Sequence, residues 1–226
     1  MATTAERIQR LEDIREVRNL MHTYSYLNEY DRNRVYEEMW AHKSPDISFE
    51  YENYGVFDGQ ESVKRLLASN PAPKARQKGQ VDQHTLYNDF IEVAEDRQTA
   101  KGAWLSIGYA TPASGPDGAL QAEWYHCRYG VDFIKEDGKW KFYRMHMYTG
   151  FNTPYEKSWV RLSRDRGDQN AGGLPPGTPN PYHPDRPNTQ DVPYSLKSSP
   201  SPMPRLPEPY RTFSETFSYV PKPEKA

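Results

Sequence analysis

The sequence contains a single cysteine, Cys127. That excludes an internal disulfide framework and any zinc or iron–sulfur site built on several thiolates. No apolar run approaches the roughly 20 residues needed to span a bilayer, and hydrophobic residues make up only 35% of the chain. Neither sign of charge is in excess, with 29 Lys and Arg against 31 Asp and Glu. Binding along a phosphate backbone needs a basic surplus or stripe, so no nucleic-acid partner is expected. The first residues, Met1 to Arg7, lack the basic-then-apolar order of a secretory signal. A cytoplasmic protein with no membrane partner is the expectation. The sequence also lacks Gly-x-Gly-x-x-Gly, a P-loop, a Gly-x-Ser-x-Gly elbow and His-Glu-x-x-His. His126 and Cys127 are adjacent, so on a strand they point to opposite faces and do not chelate one ion together. No metal and no cofactor are expected, and any chemistry falls to the side chains.

What the chain does have is aromatic residues, 13% of its 226 residues, concentrated before residue 160. Rings bury large areas, so a core forms there despite the modest aliphatic content. Thr3-x-x-Glu6 reads as a capping box, and Ile8, Leu11, Ile14, Val17, Leu20, Met21 and Tyr24 recur at helical spacing to about Asn28. A shorter helix is expected after Asp31, with Val35, Tyr36, Met39 and Trp40 on one side, stopped at Lys43-Ser44-Pro45. Asp46–Tyr51 alternates as a strand, and Asp58-Gly59-Gln60 opens a third helix carrying Val63, Leu66 and Leu67. Residues 70–82 read as a polar loop. Strands follow at His84–Val93, Thr99–Ala110, Leu120–Lys135 and Lys139–Thr149, with Asp137-Gly138 as a hairpin turn. Helices followed by an antiparallel meander indicate an α+β fold with helices on one face of a curved sheet.

Most of the 20 prolines follow Ser163. That tail is too proline-rich for a central strand, yet it carries Tyr182, Tyr194, Tyr210, Phe213, Phe217 and Tyr219. Two readings follow, a disordered appendage or an extended arm packed on its own or a neighbouring subunit, and the arm is favoured. The expected organisation is a domain over 1–160 and an arm over 161–226.

Several residues suit chemistry. Asp31 follows Tyr30 where the first helix ends, and either caps the next helix or serves a site. His84 opens a strand, as a packing histidine or a catalyst. His126 shares a face with Trp124 and Arg128, while Trp140, Phe142, Arg144, His146 and Tyr148 are expected on one face of the last strand. Polar groups mixed with rings suit a pocket, although solvated arginines explain the pattern equally well.

In their order these features resemble the SnoaL-like branch of the nuclear transport factor 2-like superfamily. The resemblance covers roughly residues 5–155. It rests on the long first helix and on Tyr30-Asp31 before Val35-x-x-x-Met39-Trp40. It continues through Phe57-Asp58-Gly59-Gln60-Glu61-Ser62-Val63, His84 ahead of a strand, Asp96-x-x-x-Ala100, and Asp137-Gly138-Lys139-Trp140-Lys141-Phe142. It implies a cone-shaped half-barrel, a curved and mostly antiparallel sheet wrapped on N-terminal helices, with the first helix closing a deep pocket. The long C-terminal arm is a departure from the short members of the branch.

By the same resemblance Asp31 orients His84, which acts as general base, with Tyr30 as a further catalytic residue. Tyr26, Tyr30 and Tyr51 are the expected donors to a leaving hydroxyl or phenolate. Arg144 or His146 stands where some members place a cation, and Trp104, Trp124 and His126 complete the expected substrate-binding set. Members include scytalone dehydratase, bile-acid dehydratases, a dehydrochlorinase, polyketide cyclases and ketosteroid isomerase. The expected activity is a cofactor-independent lyase for a hydroxylated aromatic small molecule. The favoured reaction, by similarity to enzymes of bacterial lignin breakdown, is deformylation of a diarylpropane diol to a stilbene with release of formaldehyde; simple dehydration is the other. A non-catalytic small-molecule or peptide binding module and a ketosteroid-type isomerase are the alternatives. A homo-oligomer is implied, with a trimer favoured over a dimer because an arm can wrap a neighbour.

Overall fold

The computed structural model describes residues 3–51, 53–68, 78–114, 116–168, 177–189, 193–200 and 202–222. Most of the expected loop over 70–82 lies outside the described residues, and its last residue already belongs to a strand. Helix α1 (Thr4–Tyr30) begins at the capping box: Glu6 N–H donates to Thr3 Oγ1 at 3.2 Å and Thr3 N–H donates to Glu6 Oε2 at 2.7 Å. Asp13, Val17, Met21, Tyr24 and Asn28 form its buried stripe. Ile8 and Leu11, expected on that stripe, are 51% and 65% exposed. The acid Asp13 is buried in their stead, because Arg97 Nε, Lys135 Nζ and Trp140 Nε1 all donate to it at 2.6–3.1 Å.

A helical turn α2 (Arg32–Arg34) runs into a wider π-turn over Val35–Met39, which buries Val35, Tyr36 and Met39. Strands β1 (Ser48–Tyr51) and β2 (Gly55–Asp58) form a short hairpin, β2 being an element that the sequence reading missed. Helix α3 (Gly59–Ala68) buries Val63, Leu66 and Leu67 as expected. The meander follows as β3 (Asp82–Val93), β4 (Thr99–Ala110), β5 (Glu123–Glu136) and β6 (Lys139–Pro154). Asp137 and Gly138 have φ of +50° and +74°, the left-handed pair that a two-residue hairpin with the right twist requires. Helix α4 (Trp159–Asp165), capped by Ser158, crosses the expected boundary at residue 160.

The six strands form one sheet in the order β2-β1-β6-β5-β4-β3. Every pairing is antiparallel except β1 with β6. The inner face packs on the N-terminal helices around Trp40, Phe49, Trp104, Tyr129, Phe133 and Phe142. Several described residues beyond α4 lie against the outer face. There Asp132 accepts from Ser218 Oγ at 2.7 Å and Tyr219 N–H at 3.1 Å, and Tyr194 N–H donates to Gly150 O at 2.6 Å.

Bulges reset which residues face inward. Asp132 pairs with Arg144 but Phe133 pairs with Phe142, so Tyr143 is an extra residue in β6. A second extra residue, Gly150, falls between the pairs His126–Phe151 and Cys127–Thr149. A Cβ at Gly150 would lie 2.3 Å from His126 Nδ1, so only glycine fits this close approach. In β3 the shift between Tyr87 and Phe90, with Asn88 at φ +49°, moves Phe90 off the face shared by His84 and Leu86.

Candidate functional site

The inner face near the open end of the sheet carries His84 on β3 and Cys127 on β5, both buried. His84 Nε2 lies 3.4 Å from Asp82 Oδ1, and its Nδ1 lies 3.8 Å from Cys127 Sγ. Its ring stacks on Tyr125 at 5.4 Å between centroids. Burial disfavours the imidazolium, but contacts with Asp82 and Cys127 outweigh it and raise the pKa to about 10. At neutral pH His84 therefore holds its proton, the state of a general acid.

Asp82 is itself held from two sides. Arg32 Nη2 donates to its Oδ2 at 3.1 Å, and its own N–H donates to Glu29 Oε1 at 3.2 Å. Arg32 is anchored by Nε donating to Asn28 O at 3.0 Å. Burial works against the guanidinium charge, and Tyr51, Asp82, Tyr24 and Tyr182 around it offset the burial, so its pKa rises. Tyr51 stacks on Tyr54 at 5.4 Å and meets Tyr182 edge-on at 5.7 Å. Arg32, Asp82, His84 and Cys127 thus form a continuous chain, half-buried at Arg32 and Asp82 and buried at His84 and Cys127, with phenols at its arginine end.

Beside that chain the sheet leaves polar atoms without partners. Register places Ser106, Cys127 and Thr149 in one row across β4, β5 and β6, and Trp104, Tyr129 and Met147 in the next. Ser106 Oγ, Thr149 Oγ1 and Trp104 Nε1 are buried and make no hydrogen bond; Tyr129 Oη approaches the Tyr24 hydroxyl without closing a well-formed one. Native interiors leave few such atoms, and a cluster of them calls for a partner such as water, an ion or a polar ligand. Glu123, whose pKa is raised by burial, accepts from Tyr125 Oη at 3.2 Å on the same face. Among the described residues no group of three or more His, Cys, Asp and Glu is placed to share a metal ion.

The expected site residues divide. His84, Tyr51 and Trp104 belong to the inner face, with Trp104 packed in the core against Phe133. Asp31 does not partner His84 in this structure: it caps α2, its Oδ1 accepting from Arg34 N–H at 3.1 Å, and the acid on His84 is Asp82. Tyr26 and Tyr30 are 73% and 57% exposed on α1. Trp124 and His126 lie on the outer face of β5, alternate to Cys127, and Arg144 and His146 lie on the same outer face because the bulge at Tyr143 separates them from Trp140 and Phe142.

Under the C-terminal segment Arg144 donates to Asp46 Oδ2 at 2.9 Å and to Ser218 Oγ at 3.1 Å. His146 has its pKa pushed down to about 3 by burial; one Nδ1–H directed at Tyr219 O and Glu50 suits that neutral ring. Sequence reasoning missed Arg32 and Asp82. The available signal was Asp82-x-His84, two residues apart on a strand and hence on one face.

The SnoaL-like domain model matches residues 9–146. This chain belongs to the SnoaL-like domain family. The fold agrees with that of several solved structures. A protein provisionally assigned as a scytalone dehydratase, from Novosphingobium aromaticivorans DSM 12444, is 18% identical with a TM-score of 0.52, over 78% of this chain and 99% of that one. The structure of LinA is 16% identical with a TM-score of 0.53, over 68% of this chain and 96% of that one. A type 2 hexachlorocyclohexane dehydrochlorinase, also LinA, is 16% identical with a TM-score of 0.50, over 78% and 100%. At these identities the likeness is one of fold. No curated protein matches the chain. No helix among the described residues is long and apolar enough to cross a membrane.

Proposed function

We propose that this SnoaL-like domain is a cofactor-free lyase that eliminates a leaving hydroxyl from a hydroxylated aromatic substrate held between the sheet's inner face and α1. The observation that carries the reading is the Arg32–Asp82–His84–Cys127 chain, buried at its histidine and cysteine, beside unpartnered hydroxyl and indole groups. Its placement in a family whose structural neighbours are named as a dehydratase and dehydrochlorinases favours elimination.

The favoured substrate is a phenolic diarylpropane diol. The phenol loses its proton to solvent water and the phenolate is held by Arg32 with Tyr51. His84, protonated at rest, gives its proton to the benzylic hydroxyl, which leaves as water and generates a quinone methide. The now neutral imidazole takes the proton of the terminal hydroxymethyl group. The bond between that carbon and the chain then breaks, its electron pair forming the stilbene double bond and restoring the phenolate. Formaldehyde departs, His84 is again protonated, and the phenolate regains a proton. Water and formaldehyde account for every atom lost. In simple dehydration the neutral imidazole would take a carbon-bound proton instead.

The test is turnover of such a diol by the chelator-treated protein, following conjugated-product absorbance and formaldehyde together. Stoichiometric formaldehyde establishes deformylation, and absorbance without it establishes dehydration. No turnover of the diol or of simpler benzylic alcohols refutes the reading and favours a binding module. We also propose a homotrimer in which the C-terminal segment reaches a neighbour's surface; a compact monomer in sedimentation at micromolar concentration refutes that assembly.

A further inference from the structure

No step of the proposed elimination uses the thiol of Cys127, yet its surroundings are those of a nucleophile. Cys127 Sγ lies 3.8 Å from His84 Nδ1, and His84 Nε2 lies 3.4 Å from Asp82 Oδ1. One imidazole thus stands between a thiol and a carboxylate, each on its own ring nitrogen. Asp82 and His84 share a face of β3 because they are two residues apart. Opposite His84 on β4 is Gly108, which is in turn opposite Tyr125 on β5. Gly108 has no side chain to block the way, so the imidazole reaches across β4 to stack on Tyr125 and meet Cys127. Both separations are longer than closed hydrogen bonds, as in resting nucleophile–base pairs that tighten on substrate.

Two hydroxyls flank the sulfur. Ser106 on β4 and Thr149 on β6 are the direct cross-strand partners of Cys127, which sets neighbouring Cβ atoms on one face about 4.5–5.5 Å apart. These residues are 1% and 4% exposed, and neither hydroxyl bonds any described residue. Unengaged donors on both sides of a thiolate are placed to hold the oxygen of a carbonyl that the sulfur attacks. A cysteine serving only as a small apolar side chain needs neither the histidine nor these hydroxyls. The proton that His84 holds at neutral pH completes the ion pair that a thiolate nucleophile requires.

We propose that Cys127 is the nucleophile of a second activity, the hydrolysis of small aryl esters through an acyl-cysteine, with His84 as acid and base, Asp82 orienting its ring, and Ser106 and Thr149 holding the oxyanion. Cys127 Sγ attacks the carbonyl carbon and the C–S bond forms. The C–O bond to the phenol breaks, and the departing oxygen takes the proton of His84. Water then attacks the acyl carbon, neutral His84 takes a proton from it, and the C–S bond breaks to restore thiolate and imidazolium. Ester and water give acid and phenol, and nothing else is consumed. Thiolate is itself a good leaving group, so the acyl group moves to sulfur only when its other substituent departs as readily. A phenol, with a pKa of about 10 against about 8.5 for a thiol, does so once protonated by His84; an alkyl alcohol does not. The activity does not rest on the lyase reading: esters and diols are assayed separately, and either can fail without the other.

The probe is 4-nitrophenyl acetate. The full chain should release a burst of about one 4-nitrophenolate per chain, and acid-quenched protein should carry the acetyl group on the peptide containing Cys127 by mass spectrometry. Cys127→Ser, which keeps the packing, should abolish the burst. His84→Asn should slow acylation at least about 100-fold. Ser106→Ala combined with Thr149→Val removes hydroxyls that bond nothing in the fold, so the unfolding midpoint should hold while acylation slows at least about 100-fold. Release no faster than in buffer alone, acetyl groups only on other residues, or an undiminished burst in Cys127→Ser overturns the proposal. An unchanged acylation rate in the Ser106→Ala, Thr149→Val protein removes the oxyanion site and overturns it as well.

Discussion

Replacing Asp82 by Asn tests the electrostatics of the site directly. The exchange preserves shape but removes the carboxylate between Arg32 and His84. In the wild type the His84 pKa rises from 6.5 to about 10. At about 1.36 kcal/mol per pH unit, that rise is worth at most about 5 kcal/mol of folding stability. A raised folded-state pKa gives its full contribution below the unfolded value near 6.5 and loses it as pH climbs through about 10. In Asp82→Asn only the Cys127 contact is left to oppose burial, so the His84 pKa falls and the part of this contribution that Asp82 supplies is lost.

The stability gap between wild type and variant should therefore be widest near pH 6 and narrow by about 2–4 kcal/mol by pH 9.5. Urea unfolding of both proteins across that range measures it. Taking the difference cancels groups common to both proteins, including buried Lys101, whose pKa is lowered chiefly by burial and titrates in the same direction in each. A gap that stays constant with pH refutes the assignment of Asp82 as the group that holds the His84 proton. The same variant should shift the alkaline limb of the pH–rate profile to lower pH, because His84 would lose its proton at a lower pH.

Arg32→Met should lower kcat at least ~100-fold by removing the phenolate partner, and should destabilise the fold by about 1–3 kcal/mol because half-buried Asp82 loses its cation; undiminished turnover by folded protein assigns phenolate binding elsewhere. Gly150→Ala should lower stability by about 1–3 kcal/mol through the forced displacement of His126, and a change below about 0.5 kcal/mol in chemical unfolding contradicts the bulge geometry. Tyr219→Ala should destabilise by about 3–5 kcal/mol, because the Tyr219 ring covers Gly130 and its N–H bonds Asp132 beside Lys101. An unfolding midpoint equal to wild type shows that the C-terminal segment does not seal that ion pair.

Much of the architecture is legible in local sequence. Thr3 and Glu6 start α1 through bonds that need only residues three apart. Asp137-Gly138 closes the β5–β6 hairpin because both positions accept a left-handed backbone. The periodic apolar residues of α3 and the alternating residues of β1 point to one core. His84 and Tyr51 stand out as polar or phenolic groups on faces otherwise built for burial.

What local pattern does not carry is the phase of a strand past a bulge and the partner of a charge. Side chains alternate with period two, so one extra residue at Tyr143 turns Arg144 and His146 to the outer face, where the C-terminal segment covers them. Asp31 lay between two uses of one carboxylate, capping a helix or orienting a histidine. Tertiary structure assigns it to Arg34 N–H and brings Asp82, two residues from His84 and across from Arg32, into the other role. The sequence by itself determined the order of elements apart from β2, and the family, and it singled out His84 as a candidate. Only the assembled sheet decided which acid, which arginine and which face accompany it, because those contacts join residues as far apart as Arg32 and Asp82 and depend on how bulged strands align.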